Sequence, residues 1–472
     1  MACASAQHLR VHIRPGVCPT RLGTILNTVQ RYDCDEEDAI PQPERTSRPP
    51  AQGRRLLAPD FARGAMLLLI VLSNTAFFLY AGDFAGGGDY PTPEHMADTI
   101  TQFLMVVLLD VRVYPLFAFL VGYGIVQLFT RRVASGASED EAATVIRRRN
   151  QWLFLFGFVQ AALLLGSEVL AAYGLVGLIL CALFLRSGER RTRGWAMAGT
   201  LVLLTVFALA TVLVVVAHLL DPAVTGGSPP ASEIEGDRTF VNGAGESDYL
   251  VSVMQRLMSW TALLFVNTFG VVLPTAMLLG MWAARRRIIE EAGQHLRLLR
   301  TVAMGGFLIG LLGAMPSALK VVGVWDPPPL DGLTGGAMTM MTWTTGLAGG
   351  LGYVAIFVLV AERLTRSGPT PAPVGAVSAL GKRSLSGYLT HSIVMAPVLA
   401  AWGLGLGAHL TSATMALFAF GLWLATVIAA SVMDRYGVRG PFEVLLRYLI
   451  PHKTPRPTAA PGSSVPEGSR EN

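Results

Sequence analysis

The chain has 472 residues, of which 52% are hydrophobic and only 15% charged, with a formal net charge of +5 and a mean hydropathy of +0.49. A single water-soluble core cannot absorb that much apolar sequence, so a soluble globular domain and a nucleic-acid binder are both excluded as readings of the whole. The composition is that of an all-α, polytopic membrane protein whose main partner is the lipid bilayer.

Residues 1–53 come first in the chain and are polar, with no apolar run of the signal-peptide kind, and their Cys3, Cys18 and Cys34 match no zinc spacing. They are expected to be a disordered or mis-annotated extension. Residues 54–447 are predicted to form a helical membrane domain, and residues 448–472 a disordered, Pro-rich tail. Cys181 falls inside an apolar run and is expected to pack there. Apolar segments long enough for helices in a bilayer fall at about 65–82, 112–130, 151–166, 169–186, 195–219, 259–283, 301–323, 340–362, 385–406 and 412–432. About ten transmembrane helices are predicted.

Every even-numbered segment is followed by a basic loop: 131–150, 186–193, 284–300 and 362–383. The positive-inside rule places these loops and both termini in the cytoplasm. The intervening loops carry Asp83, Glu94, Asp98, Asp221 and Glu233 and are predicted to face outward, so the basic excess reads as topology and implies no nucleic-acid partner.

The first segment, "PDFARGAMLLLIVLSNTAFF", opens with Asp60 and Arg63, three residues apart on one helical face. Asn74 lies eleven residues beyond Arg63, within about 20° of the same face and about 16 Å deeper. A polar stripe therefore enters the membrane, although a helix cap with an interfacial ion pair accounts for Asp60 and Arg63 equally well. The second segment, "LLDVRVYPLFAFLVGYG", places Asp110 and Arg112 at an outer mouth, where they read as an interfacial pair worth little energy. In the third, Gln160 interrupts an apolar run, with Arg149 before it, Ser167 after it on nearly the same face, and Glu168 at the outer end. The ninth, "GKRSLSGYLTHS", lines Ser384, Tyr388 and His391 on one face, with His391 about 9 Å inside the cytoplasmic edge. Polar side chains at such depth are costly and face the bundle interior, which makes each a candidate for function, while a lone histidine is also a common structural hydrogen-bonder.

Five stretches in order, "DFARGAMLLLIVLSN", "LLDVRVYPLFAFLVGYG", "RRRNQWLFLFGFVQAALLLGSEVLAAYG", "GKRSLSGYLTHS" and "RGPFEVLLR", resemble the motifs of the YeiB-like multi-pass membrane proteins of unknown function, which are grouped with transmembrane acyltransferases. The resemblance runs from about Arg54 to Arg447, and its C-terminal part covers about 270–447. Gln160 occupies the family's third-span histidine position, Ser167 with Glu168 replaces a Gly-Asp pair, and His391 stands where a Gln is usual. The resemblance implies transfer of an acyl group from a cytoplasmic acyl-CoA-like donor to an unknown acceptor, with no tightly bound cofactor and no metal. In that scheme Arg147, Arg148 and Arg149 hold donor phosphates, Arg63 and Asn74 orient the thioester, and His391 is the base, with Asp60, Gln160, Glu168 and Tyr388 around it. The same arginines are also what positive-inside topology demands. A transporter or flippase, in which these polar groups line a pathway, and a non-catalytic scaffold remain open alternatives.

Overall fold

The computed structural model describes residues 57–82, 84, 90–224, 243–325, 333–366 and 370–450; the expectations for 1–53 and for the tail lie outside the described residues. In chain order the helices are α1 (Leu57–Ser73), α2 (Met96–Leu108), α3 (Val113–Ala134), α4 (Glu139–Leu163), α5 (Leu170–Phe184), α6 (Glu189–Val224), α7 (Tyr249–Phe269), α8 (Val272–Arg285), α9 (Leu296–Val321), α10 (Leu333–Arg366), α11 (Ala372–Gly381), α12 (Ser384–Leu399), α13 (Ser412–Arg435) and α14 (Pro441–Leu449), with a 3-10 turn at Asn74–Phe78 continuing α1. No strand occurs among the described residues. In hydrocarbon every backbone N–H and C=O must be satisfied within the segment, and long runs of Leu, Val, Ala and Phe do this as helices. Local signals set the starts: Ser138 and Glu141 form a capping box on α4, Asp248 accepts from Leu250 N and Val251 N at α7, and Pro441 opens α14.

Seven stretches of the described residues are long and apolar enough to cross a bilayer, including one that runs from Met96 to Ala134. Several of the ten predicted segments are realised differently. The sixth, 259–283, is broken at Gly270 into α7 and α8, and the outward loop predicted around 83–111 contains α2, which continues into α3 through a break at 109–112. Helices α5 and α8, of 15 and 14 residues, reach only about 22 Å, short of the roughly 30 Å hydrocarbon core. On the outside, Leu201, Leu204, Leu209, Leu219, Met254, Phe269, Met304 and Leu417 are all well exposed, an inverted pattern that suits lipid rather than water.

The loops predicted to share one face do lie together. Arg286 meets Glu189 at 2.6 Å, Lys382 and Arg383 meet Asp434 at 2.9 and 3.1 Å, and Arg186 pairs with Asp140. On that same face Glu290 folds back against α3, where Tyr123 and Gln127 donate to its carboxylate and burial pushes its pKa above the usual carboxylate range. At the other end of the bundle Asp98 accepts from Ala413 N at 2.9 Å and Gln102 donates to Ser412 at 2.9 Å. Reporters fused after Arg132, Arg193 or Arg287 are therefore expected to read cytoplasmic, and those within 222–255 exterior. Reversed readings at both kinds of site would overturn the topology.

Candidate functional site

A cavity of about 320 Å³ lies where helical backbone is interrupted four times. Its wall takes Ser73 and Asn74 from the point where α1 tightens into the 3-10 turn, and Asp110 and Val111 from the break between α2 and α3. Ser167 and Val169 come from the connection between α4 and α5, and Asn267 from the last turn of α7 before Gly270. Irregular backbone at membrane depth is tolerated only where protein or a water-filled space receives its polar groups. Four such places border this one space, which makes it the candidate site.

The break at 109–112 shows how this is built. Val111 has φ 63°, a left-handed conformation that is strained for a β-branched residue. The chain turns there and sends the Arg112 side chain, fully buried, back against the backbone. Arg112 donates to the carbonyl of Val106 at 2.9 Å, to that of Asp110 at 2.8 Å, and to that of Gly310 in α9. Its guanidinium thus satisfies carbonyls that the broken helix leaves open. The Asp110 carboxylate turns the other way, to the cavity, and accepts from Tyr90 at 3.1 Å. The reading of Asp110 and Arg112 as a weak interfacial pair is corrected: Arg112 is a core residue of the break.

Small residues make room for it. A Cβ on Gly349 would stand 3.0 Å from Arg112 Cδ, and one on Gly346 would stand 2.4 Å from the Val111 carbonyl oxygen. These glycines of α10 were not singled out from the sequence, yet the run "TTGLAGGLGY" at 344–353 is a visible signal of close helix approach.

The residues singled out from the sequence separate into distinct environments. Asn74 and Tyr388 line the cavity. Gln160 donates to Ser392 Oγ at 2.8 Å, so the third and ninth predicted segments do meet. His391 points elsewhere: its Nε2 is 3.1 Å from Thr426 Oγ1 on α13. Because the Thr426 hydroxyl gives its one proton to the Trp423 carbonyl at 2.7 Å, His391 must be the donor, in the Nε2–H tautomer. Residues 391 and 392 are about 100° apart on one helix, so Gln160 bonds to the neighbour of His391 rather than to His391 itself. His391 is not among the cavity-lining residues.

Glu168 is buried and committed to structure, accepting from Trp260 Nε1 at 2.6 Å and from Ala171 N at 3.1 Å. It ties α7 to the first turn of α5. Asp60 and Arg63 stand 3.8 Å apart at the start of α1, at the opposite end of that helix from Asn74. Arg149 packs near enough to Arg63 for the two charges to oppose each other. Arg147 and Arg148 are exposed, Arg147 donating to Thr144 Oγ1 at 3.2 Å. Cys181 is buried and accepts from Asn150 at 3.6 Å. Among the described residues no three His, Cys, Asp or Glu side chains converge as a metal set.

Comparison with known proteins places this architecture. The family described as "Protein of unknown function (DUF418)" matches residues 283–453, which hold the end of α8 through α14. The uncharacterized protein YxaH of Bacillus subtilis (strain 168) is 24% identical over 409 residues, 85% of this chain and 95% of its own length. The uncharacterized protein YeiB of Escherichia coli (strain K12) is 26% identical over 401 residues, 83% of this chain and 94% of its own. An uncharacterized 39.9 kDa protein from the amylase 3′ region of Bacillus acidopullulyticus is 31% identical over 133 residues, 28% of this chain and 35% of its own. With YxaH and YeiB aligned along nearly their whole length and the family domain at its C-terminal end, this chain is similar to the YeiB-like, DUF418 membrane proteins and carries their family domain at residues 283–453.

Proposed function

We propose that the protein carries a small amphipathic molecule across the bacterial cytoplasmic membrane through the cavity at the four helix interruptions. The observation that supports this reading is the convergence of those interruptions, since broken helices meeting at one space inside a bundle are how transporters combine a binding site with a hinge. The α2–α3 and α7–α8 crossings each divide beside the cavity, so their halves can pivot about 109–112 and 270–271. Among the described residues no imidazole lines the space, and the histidine expected as a base is bonded to Thr426 instead.

The test needs no substrate. In a chain whose four cysteines are replaced, Ser167→Cys should react with a membrane-impermeant maleimide both in right-side-out cells and in inside-out vesicles. Labelling from one side only, in a protein that folds and inserts, would overturn alternating access.

Acyl transfer is kept as a second reading because Arg149 and Arg63 approach each other at the end predicted to be cytoplasmic, a pairing suited to the phosphates of an acyl-CoA-like donor. Acceptor-dependent release of free thiol from acetyl-CoA by the purified protein, lost in Arg149→Gln, would favour it over transport.

A further inference from the structure

Where α13 ends, the chain leaves the bundle by a surface that is both apolar and basic. The exposed stripe of α13, Leu417, Phe420, Leu424, Ile428 and Val432, advances by three or four residues at a time and so keeps to one helix face, the one turned to lipid. The same step carries it to Arg435 and Tyr436, both exposed. Val438 and Arg439 follow, exposed as well, and then α14, in which no residue is buried. The two carboxylates of residues 434–450 are committed within the protein. Asp434 meets Lys382 and Arg383, and Glu443 accepts from Leu385 N at 2.8 Å and from Ser386 N at 3.1 Å at the start of α12. Fixing Glu443 there decides which side of α14 faces away from the bundle. Leu445 and Tyr448 lie about 160° and 140° around the helix from Glu443, and they are 41% and 84% exposed, beside Val444 at 50%. Arg435, Arg439 and Arg447 are the charges left on the outside of this segment.

That combination selects a partner. Arginines interleaved with aliphatic and tyrosine side chains suit the boundary between headgroups and acyl chains, where the charged groups stay at the surface and the apolar ones enter. The end of the bundle that carries the basic loops also holds this surface, and the negative face of a cytoplasmic leaflet attracts it. Independently of what the cavity holds, we infer that α14 and the turn before it dock on acidic phospholipid headgroups of the cytoplasmic leaflet. Arg435, Arg439 and Arg447 engage the phosphates, and Val444, Leu445 and Tyr448 enter among the first acyl carbons.

The test uses the full chain with its four cysteines replaced and Tyr448→Cys carrying an environment-sensitive dye, reconstituted into nanodiscs of phosphatidylcholine alone or of equal parts phosphatidylcholine and phosphatidylglycerol. With phosphatidylglycerol the emission should move to the blue and be quenched by lipid brominated near the headgroup, and high salt should weaken the effect. An arginine near an acidic surface is worth about fivefold in binding, so Arg435→Gln, Arg439→Gln and Arg447→Gln together should abolish the difference between the two lipids. Equal emission in both lipids, or a difference that survives the triple change, would overturn the inference. If the triple variant does not fold, Arg439→Gln alone takes its place, and an undiminished response to phosphatidylglycerol overturns the inference there too. A blue shift already present in detergent that grows with protein concentration would give the surface to a second copy of the chain and overturn it in the same way.

Discussion

Replacing Arg112 by leucine should leave little folded protein. The guanidinium serves three carbonyls, one in the last turn of α2, one in the break and one in α9, and leucine offers them nothing. Each orphaned acceptor costs about 1–3 kcal/mol, and removing one member of a buried polar cluster typically costs about 3–5 kcal/mol in all, a large part of the stability of a typical domain. Arg112→Lys should fall between, since one ammonium cannot span the same carbonyls as a planar fork. Fluorescence-detected size exclusion after a temperature series reads the effect. A monodisperse Arg112→Leu protein with the parent's midpoint would show that the break does not depend on the side chain at all.

Gly381→Ala is expected to be nearly as damaging, for a reason of shape rather than charge. Helices α1 and α11 touch backbone to backbone: a Cβ on Gly381 would stand 1.7 Å from the Asp60 carbonyl oxygen, and one on Gly64 2.0 Å from that of Val377. Nothing flexible lies in between, so the helices must separate, and overpacking of that kind costs about 1–3 kcal/mol or more. Gly421 in α13 is the control, because a Cβ there meets nothing within 4 Å and alanine favours helix by up to about 1 kcal/mol. The expected result is a midpoint lowered in Gly381→Ala and unchanged or raised in Gly421→Ala. Equal behaviour of the two would remove close packing of α1 on α11 from the account.

Hydropathy and charge alone determined that the chain is an all-helical membrane protein, because a bilayer leaves apolar runs no other way to satisfy their backbone. The loops carrying arginine could be assigned to one face, and in the fold Arg286 meets Glu189, and Arg186 meets Asp140, on that face. Periodicity also put Asn74 and Tyr388 on interior faces, and both reach the cavity. What periodicity could not give was the place where helices stop inside the membrane. Gly270 sits within a run whose hydropathy reads as unbroken, and Val111, with its φ of 63°, in a stretch read as loop that instead joins α2 to α3, since a break depends on which carbonyls find a partner in another helix. For the same reason Asp110 and Arg112 looked like an interfacial pair until α9 and α10 closed around them. His391 and Gln160 looked like two parts of one site, because a motif records position along the chain. Only the packing of α12 between α4 and α13 decided that Gln160 bonds to Ser392 and His391 to Thr426, on directions about 100° apart around one helix axis.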